Sequence, residues 1–193
     1  MDSLIHLKKW VLERLYWQDS DFQPIYKTID RIEGYLISPM EEYCLYKLAS
    51  RVPKGGTVLE IGSFKGRSTS CLAFGTKGHV YAIDIFSHLE DFKRNMKSCG
   101  LEEKVTPIQG RSEDIAARWT LPVDLLFIDG CHNYAKVLED FRDYYPYVVQ
   151  GGTVALHDVS NEWLGPLVAW DKNIHALLRE CGSSMSISYG VKP

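Results

Sequence analysis

The sequence lacks the features that mark several classes of protein. Its five cysteines lie far apart with no C-x-x-C pair, which argues against a zinc knuckle or a disulfide framework and favours a reducing compartment. No Lys/Arg-rich block stands out and the formal net charge is -3, so a nucleic-acid partner is not expected. No apolar run approaches the ~20 residues of a membrane span, and charges come too early for a signal peptide. We therefore expect a cytoplasmic protein that acts on a small molecule, without membrane contact.

The chain of 193 residues fits one domain with a modest N-terminal extension. Residues 4–17 place apolar side chains on one face and predict a helix, which packs on its own domain, closes the active site as a lid or contacts a second copy. Ser38-Pro39-Met40-Glu41 has the form of a capping box with proline at the first helical position, and it predicts another helix. We predict a helical extension or lid over residues 1–35 and the main domain over residues 36–193. A homodimer is left open.

From residue 57 onward, short apolar strands alternate with helical stretches. The predicted strands are TVLEI, HVYAI, KVTPI, VDLLFI and GGTVAL, and the predicted helices span 67–75, 88–98, 112–118, 134–145 and 163–179. This alternation predicts an α/β fold with a doubly wound, mostly parallel sheet of the Rossmann-like type. Residues 184–189 alternate and suggest a further edge strand. Ligands of such sheets bind at the carboxyl ends of the strands, so the residues that end each strand are the candidate site.

The first two strand ends favour an adenosine ligand without a pyrophosphate. Gly62 and Gly66 allow a tight turn that approaches a ligand closely, in the pattern Glu-x-Gly-x-x-x-Gly rather than the G-x-G-x-x-G of dinucleotide enzymes. Because a carboxylate at Glu60 is unfavourable beside a pyrophosphate, the turn favours a ligand that carries an ammonium and a sulfonium group. The second strand ends at Asp84, whose carboxylate is placed to accept both ribose hydroxyls.

Polar residues also end the later strands. Ser112, after the third strand, either caps the next helix or lies at the edge of an adenine. Two carboxylates and two imidazoles follow the fourth and fifth strands and are expected to surround one crevice, namely Asp129, His132, His157 and Asp158. Four aromatic residues either form an apolar or sugar-stacking wall of the crevice or belong to the core, namely Tyr26, Tyr134, Trp163 and Trp170.

Four segments, in order and spacing, resemble the successive motifs of class I S-adenosylmethionine-dependent methyltransferases. They are VLEIGSFKGRSTSCLA, VYAIDIF, VDLLFIDGCHNYAKVLEDF and GGTVALHDV. The nearest group is the small family-24 type, which resembles the macrolide-sugar O-methyltransferases and, more distantly, catechol O-methyltransferase. The resemblance spans residues 33–180. It implies transfer of a methyl group from S-adenosylmethionine to a hydroxyl of a small molecule of sugar or natural-product type.

The resemblance also implies which residues contact the cofactor. Glu60, Gly62 and Gly66 would line its methionine part, and Asp84 would hold the ribose. The remaining predicted cofactor contacts lie in the same turns and at the adenine edge, namely Ser63, Ser68, Gly110, Ser112 and Asp129.

Asp129 and His132 have the Asp-x-x-His spacing that supplies a metal ligand and a catalytic base in the macrolide-sugar relatives. Asp158 matches a further metal ligand, but Val159 replaces the asparagine ligand of the catechol enzymes. His157 stands where the sugar enzymes tend to have an acidic residue, and it is a candidate ligand for a softer divalent ion than Mg²⁺. Alternatively, the site is free of metal and His132 alone removes the proton of the acceptor.

Two other functions remain open at this point. An NAD-dependent oxidoreductase shares the fold and the ribose carboxylate, although the glycine turn and the absence of a separate catalytic domain argue against it. A cofactor-binding module without catalysis is the second alternative, and the presence of Asp129 and His132 argues against it.

Overall fold

A computed structural model describes residues 18–33 and 38–193, which form alternating helices and strands. The strands are β1 (Thr57–Ile61), β2 (His79–Asp84), β3 (Val105–Gln109), β4 (Val123–Ile128), β5 (Val148–Leu156), β6 (Arg179–Ser184) and β7 (Ile187–Val191). The helices are α1 (Phe22–Ile29), α2 (Pro39–Ala49), α3 (Arg67–Gly75), α4 (Leu89–Ser98), α5 (Ser112–Ala116), α6 (Tyr134–Tyr144) and α7 (Leu164–Ala169).

The seven strands form one sheet in the order β3-β2-β1-β4-β5-β7-β6. Strands β1 to β5 pair in parallel, whereas β7 runs antiparallel to both β5 and β6. The prediction of a doubly wound, mostly parallel sheet is therefore confirmed. The strand order reverses between β1 and β4, which places the crevice for a ligand at the carboxyl ends of these two strands.

Helices cover both faces of the sheet, because its central strands are apolar on both sides. In β1, Val58 faces the core layer under α1 to α4, whereas Leu59 and Ile61 face the layer under α5 to α7. In β4, Leu125 and Leu126 point to these opposite layers in the same way. This burial on both faces explains the nearly continuous apolar runs from which the strands were predicted.

The predicted helical stretch over 163–179 is present, but only its first part is an α-helix. Helix α7 ends at Ala169, a π-helical turn (Trp170–Ile174) and a 3-10 turn (His175–Leu177) follow, and β6 begins at Arg179. Trp170 and Ile174 stay buried, so the apolar periodicity continues after the α-helix has ended. The predicted edge strand over 184–189 is corrected too, since β7 lies inside the sheet and the exposed, polar β6 forms the edge.

The N-terminal predictions are described only in part. The predicted helix over 4–17 and the boundary at residue 35 lie outside the described residues, so both stay predictions. Helix α1 packs on the main domain, because Ile29 is fully buried in the same core as β1 and β2. Within residues 18–33 and 38–193, we find no helix with the length and apolar character to cross a membrane.

Candidate active site

Backbone hydrogen bonds continue past the strand ends and hold the candidate residues side by side. The amides of Gly62, Gly110, Asp129 and His157 each donate to a carbonyl at the end of a neighbouring strand, at 2.8–3.0 Å. These residues therefore keep the register of the sheet although they lie in turns. All four therefore lie along one edge of the sheet, as its topology requires.

A cavity of about 980 Å³ opens at this edge. Its volume lies at the upper end of the range for small-molecule sites. It is lined by most of the residues that the sequence singles out, namely Gly62, Ser63, Ser68, Asp84, Gly110, Ser112, Asp129, His132, His157 and Asp158. Glu60 and Gly66 do not line it.

The glycine turn after β1 is compressed against the protein itself. Gly62 has a φ of +89°, and a Cβ atom there would lie 2.1 Å from the carbonyl oxygen of Asp129. Gly66 has a φ of +90°, and its Cβ atom would lie 2.5 Å from Cε of Met96 on α4. Gly62 is thus required both by its positive φ and by the close approach of β1 to β4, whereas Gly66 is favoured mainly by its positive φ, since the Met96 methyl can move.

Asp84 organises the loops that follow β1 and β2. Its Oδ2 accepts hydrogen bonds from the amides of Ser63 (3.0 Å) and Phe64 (2.9 Å), and its Oδ1 accepts one from the amide of Phe86 (2.6 Å). Phe64 and Phe86 have positive φ values of 45° and 53°, which are rare for bulky side chains. The carboxylate therefore stabilises both strained loops, and its oxygens retain lone pairs that can accept hydroxyl groups from the cavity.

Glu60 lies behind the turn, which differs from the expectation that it lines the cavity. The side-chain alternation of β1 turns it, like Val58, toward the layer of α3, where the Thr69 hydroxyl donates to its Oε2. Glu60 is completely buried. This burial raises the pKa of its carboxyl to about 7, although the hydroxyls of Ser68, Thr69 and Ser63 oppose the shift. Glu60 thus supports the turn from the core, and its contact with the cofactor stays a prediction.

Asp129, His132 and Asp158 form a compact cluster at the ends of β4 and β5. One potential ligand atom from each lies within 4.8 Å of the other two. Nε2 of His132 is 2.9 Å from Oδ2 of Asp158, whose positive φ of 57° is of a kind that aspartate tolerates. Two carboxylates and an imidazole suit a divalent metal ion as well as acid–base chemistry.

His157 lies beneath this cluster and is nearly fully buried. Its Nδ1 is 3.0 Å from Oδ1 of Asp129 and 3.3 Å from Oδ2 of Asp158, and its Nε2 is 3.6 Å from Oε1 of Glu41. Burial alone would lower the pKa of His157, but the three carboxylates raise it to about 12. The side chains that could hold an ion are Asp129, His132 and Asp158. The prediction of His157 as a ligand gains no support, because both of its ring nitrogens face carboxylates.

Glu41 anchors His157 from the far side and is the residue that sequence reasoning missed. Its Oε2 accepts from the amide of Ser38, as the capping box predicts. Its Oε1 accepts from the amide (3.1 Å) and the hydroxyl (2.6 Å) of Ser186. Burial opposes ionisation, but the nearby charge of His157 and the hydrogen bonds from Ser186 prevail and lower the pKa of Glu41. The sequence shows only the capping role, because Ser186 is 145 residues away along the chain.

The two carboxylates above His157 differ in their ease of ionisation. Desolvation raises the pKa of Asp129 despite the nearby His157. For Asp158, desolvation also acts to raise the pKa, but the hydrogen bond and the charge of His157 lower it. Of the two carboxyls, that of Asp158, beside His132, therefore ionises more readily.

The segment before α7 forms the outer wall of the cavity. The ring of Trp163 is 43% exposed and packs edge-on against His132, with 4.2 Å between the ring centroids. A Cβ atom on Gly165 would lie 2.0 Å from the carbonyl oxygen of His132, so this glycine lets α7 approach the loop closely. Trp163 thus lies at the wall, whereas Trp170 belongs to the core.

A family model described as a methyltransferase domain (Methyltransf_24) matches residues 59–159, from β1 to the end of the His157–Asp158 segment. The chain belongs to this methyltransferase family. The prediction of a class I S-adenosylmethionine-dependent methyltransferase of the family-24 type is thereby confirmed.

This methyltransferase is 35% identical over 122 residues to an uncharacterised protein of Acanthamoeba polyphaga mimivirus. That match covers 58% of the chain and 55% of the relative, so it spans about half the length of the relative.

Solved structures share the fold. The O-methyltransferase from Bacillus cereus in complex with SAH is 20% identical, with 91% of this chain and 92% of that chain covered and a TM-score of 0.66. The MycE methyltransferase from the mycinamycin biosynthetic pathway, in complex with Mg, SAH and mycinamycin VI, is 18% identical, with 91% and 55% covered and a TM-score of 0.63.

Proposed function

We propose that this methyltransferase transfers the methyl group of S-adenosylmethionine to a hydroxyl of a small molecule, with His132 as the general base. The observation that carries the proposal is that Asp84 and the cluster of Asp129, His132 and Asp158 line the same cavity. One side of the cavity offers a carboxylate to a ribose, and the other offers a base to an acceptor. Methyl transfer needs both groups at one site.

The cofactor side of the proposal rests on Asp84 and the turns beside it. Three backbone amides fix the Asp84 carboxylate, so it can accept ribose hydroxyls without losing further side-chain freedom. Ser63 of the first turn and Ser68 at the start of α3 line the cavity on one side of it, and Gly110 and Ser112 after β3 line it on the other. We assign the methionine part to the first turn and the adenine to the second.

The acceptor side rests on His132, whose side chain is 34% exposed and therefore within reach of a bound hydroxyl. Asp158 lies against Nε2 and orients the ring, which leaves Nδ1 to accept a proton. The acceptor oxygen attacks the methyl carbon, the carbon–sulfur bond breaks with its electron pair moving to sulfur, and the hydroxyl proton passes to His132. Trp163 beside His132 supplies an apolar face for the body of the acceptor.

The same cluster fits a divalent ion. Asp129 and Asp158 would hold it beside His132, which keeps its free ring nitrogen as the base, and the ion would orient a bound hydroxyl and lower its pKa. His157 neutralises part of the carboxylate charge from below without competing for the position of the ion. The MycE methyltransferase, which shares the fold, is in complex with Mg as well as SAH, and this supports the inclusion of an ion in the proposal.

The family match bears on the two alternative functions. No observation on the described residues favours an NAD-dependent oxidoreductase, and the family match speaks against a module without catalysis. The identity of the acceptor, the homodimer and the cytoplasmic location stay predictions.

Calorimetric titration with S-adenosylhomocysteine tests the cofactor assignment. We expect micromolar binding, and a loss of about 10-fold or more in Asp84→Ala, since hydrogen bonds to a charged acceptor are removed. Asp124→Ala is the matched control, because Asp124 also accepts from a backbone amide, that of Thr57, but at the opposite end of the sheet. Folded wild-type protein that fails to bind S-adenosylhomocysteine would contradict the proposal.

Binding of Mn²⁺, followed by electron paramagnetic resonance, tests the ion site separately. We expect binding in the wild type and its loss in Asp158→Ala, whereas Asp143→Ala on α6, outside the cavity wall, should bind as the wild type does. Equal binding by the wild type and Asp158→Ala would remove the ion from the proposal and leave His132 alone as the base.

A further inference from the structure

Asp140 is a buried carboxylate in the cavity wall that has no role in the methyl transfer proposed above. It lies on α6, is 5% exposed and faces the same cavity as Asp84. Its Oδ1 accepts a hydrogen bond from the hydroxyl of Ser112. A buried carboxylate is costly unless it is paired, so its position at a cavity requires an explanation.

No cation compensates Asp140 within the part of the chain that the structure describes. Lys136, one turn earlier on α6, pairs with Glu113 and Glu139 instead. Burial raises the pKa of Asp140 to about 6, although the Ser112 hydrogen bond opposes this shift, and the charges of Glu113, Glu139 and Asp143 add to it. The carboxylate is thus kept among like charges.

The second oxygen of Asp140 is available to a ligand. Among the described residues, Oδ2 has no hydrogen-bond or ion-pair partner, and it lies beside Gly130, which lines the cavity without a side chain. A Cβ atom on Gly130 would lie 3.5 Å from this oxygen. One oxygen is therefore fixed by Ser112 and the other faces the cavity.

The position of Asp140 corresponds to the adenine end of the cavity. With the ribose at Asp84 and the methionine part at the turn after Gly62, the base must extend toward Gly110 and Ser112 after β3. Asp140 and Ser112 close that end together. The exocyclic amino group of adenine is a donor that a carboxylate oxygen can accept, whereas a 6-oxo purine presents an acceptor that it repels.

We propose that Asp140 selects the adenine of the cofactor by accepting a hydrogen bond from its 6-amino group, with Ser112 holding the other oxygen. The inference rests on the proposed function, because it takes S-adenosylmethionine as the ligand of this cavity. A purely local role does not account for the geometry. The start of α5 is already held by the hydroxyl of Tyr144, which donates to the carbonyl of Ser112 at 2.7 Å.

The test compares S-adenosylhomocysteine with S-inosylhomocysteine, its 6-oxo counterpart, by calorimetry. We expect wild-type protein to prefer the adenosyl ligand by about 10- to 100-fold, the range for a hydrogen bond to a charged group. In Asp140→Asn the side-chain amide can donate to the 6-oxo group, so S-inosylhomocysteine should bind more tightly than it does to the wild type. Asp143→Asn, on the same helix but outside the cavity wall, should keep the wild-type preference.

Each outcome decides between specific alternatives. Equal affinity of the wild type for the two ligands would overturn the inference without any variant. A parallel loss of both ligands in Asp140→Asn, with their ratio unchanged, would show a structural role and overturn it as well. If folded wild-type protein binds neither ligand, the proposed function itself fails, and the role of Asp140 fails with it.

Discussion

The two sides of the cavity wall are built by different means. On the side of β1 to β3, backbone turns form the wall, with Gly62 pressed against β4 and Asp84 held by three amides. On the side of β4 and β5, charged side chains form it, with Asp129 and Asp158 held above the imidazolium of His157. The structure of the first side is thus set by close backbone packing and backbone conformation, and that of the second by charge interactions between side chains.

This difference separates binding from turnover. A substitution on the turn side should change the fold of the turn and the affinity for the cofactor together, because the backbone itself approaches the ligand. A substitution of His132 or Asp158 on the charged side should leave the cofactor site intact and affect the chemical step. Variants on the two sides therefore test whether cofactor binding and turnover depend on different residues. They follow in order of decreasing expected effect.

The largest effect is expected for His132→Ala. Loss of a general base lowers turnover by about 10²- to 10⁴-fold. The affinity for S-adenosylhomocysteine should stay nearly unchanged, because His132 lies on the charged side. Initial rates with an acceptor found by screening, together with calorimetry, measure the two quantities. Equal losses of turnover and affinity would contradict both the assignment of the base and the separation of the two sides.

Gly62→Ala should destabilise the protein by about 2–4 kcal/mol, because the new Cβ atom meets a backbone oxygen and the residue keeps a left-handed conformation. Gly100→Ala is the matched control. Gly100 also has a positive φ, of 66°, but nothing lies within 4 Å of its Cβ position, so only the conformational cost of about 1–2 kcal/mol remains. Urea unfolding compares the variants. An equal loss of stability would mean that the turn has room to relax.

The smallest effect concerns pH and Glu60. Its carboxyl has a pKa of about 7 in the folded chain against an ordinary value of 4.5, so the folded state binds more protons between these values. The contribution to the free energy of unfolding is therefore complete below about pH 4.5 and falls by about 3 kcal/mol at most as the pH rises to 7. Glu60→Gln should remove this fall. Urea unfolding at pH 5 and pH 8 checks it, and an identical pH dependence in both proteins would contradict it.

Much of the fold could be predicted because the central strands are buried on both faces. Apolar runs such as VDLLFI indicate such strands directly, and the chain order of strands and helices then limits the topology. The C-terminal hairpin could not be recognised in this way. Strand β6 is polar and mostly exposed, and the buried Trp170 and Ile174 have the spacing expected of a continuing helix.

The site residues also fall into those with a local sequence pattern and those without one. Asp84, Asp129, His132 and Asp158 could be singled out because each follows a strand whose carboxyl end faces the crevice. The roles of other residues depend on partners that are distant in sequence. His157 is a candidate ligand when the sequence is read alone, and only its contact with Glu41 shows that both ring nitrogens face carboxylates. Such side-chain pairs have no local pattern in a single sequence.

The contact between Glu41 and Ser186 has a consequence for the order of assembly. It closes a loop of 145 residues, whereas the turn after β1 and the loops around Asp84 are made from neighbouring segments. Contacts between distant segments form late in folding, since the chain entropy must be lost before they contribute. A folding intermediate without the docked β6–β7 hairpin would therefore already contain the glycine turn after β1 but would lack the Ser186 hydrogen bonds that hold Glu41 against His157. During refolding, we therefore expect methyl transfer to begin later than cofactor binding, because only the fully folded chain is active.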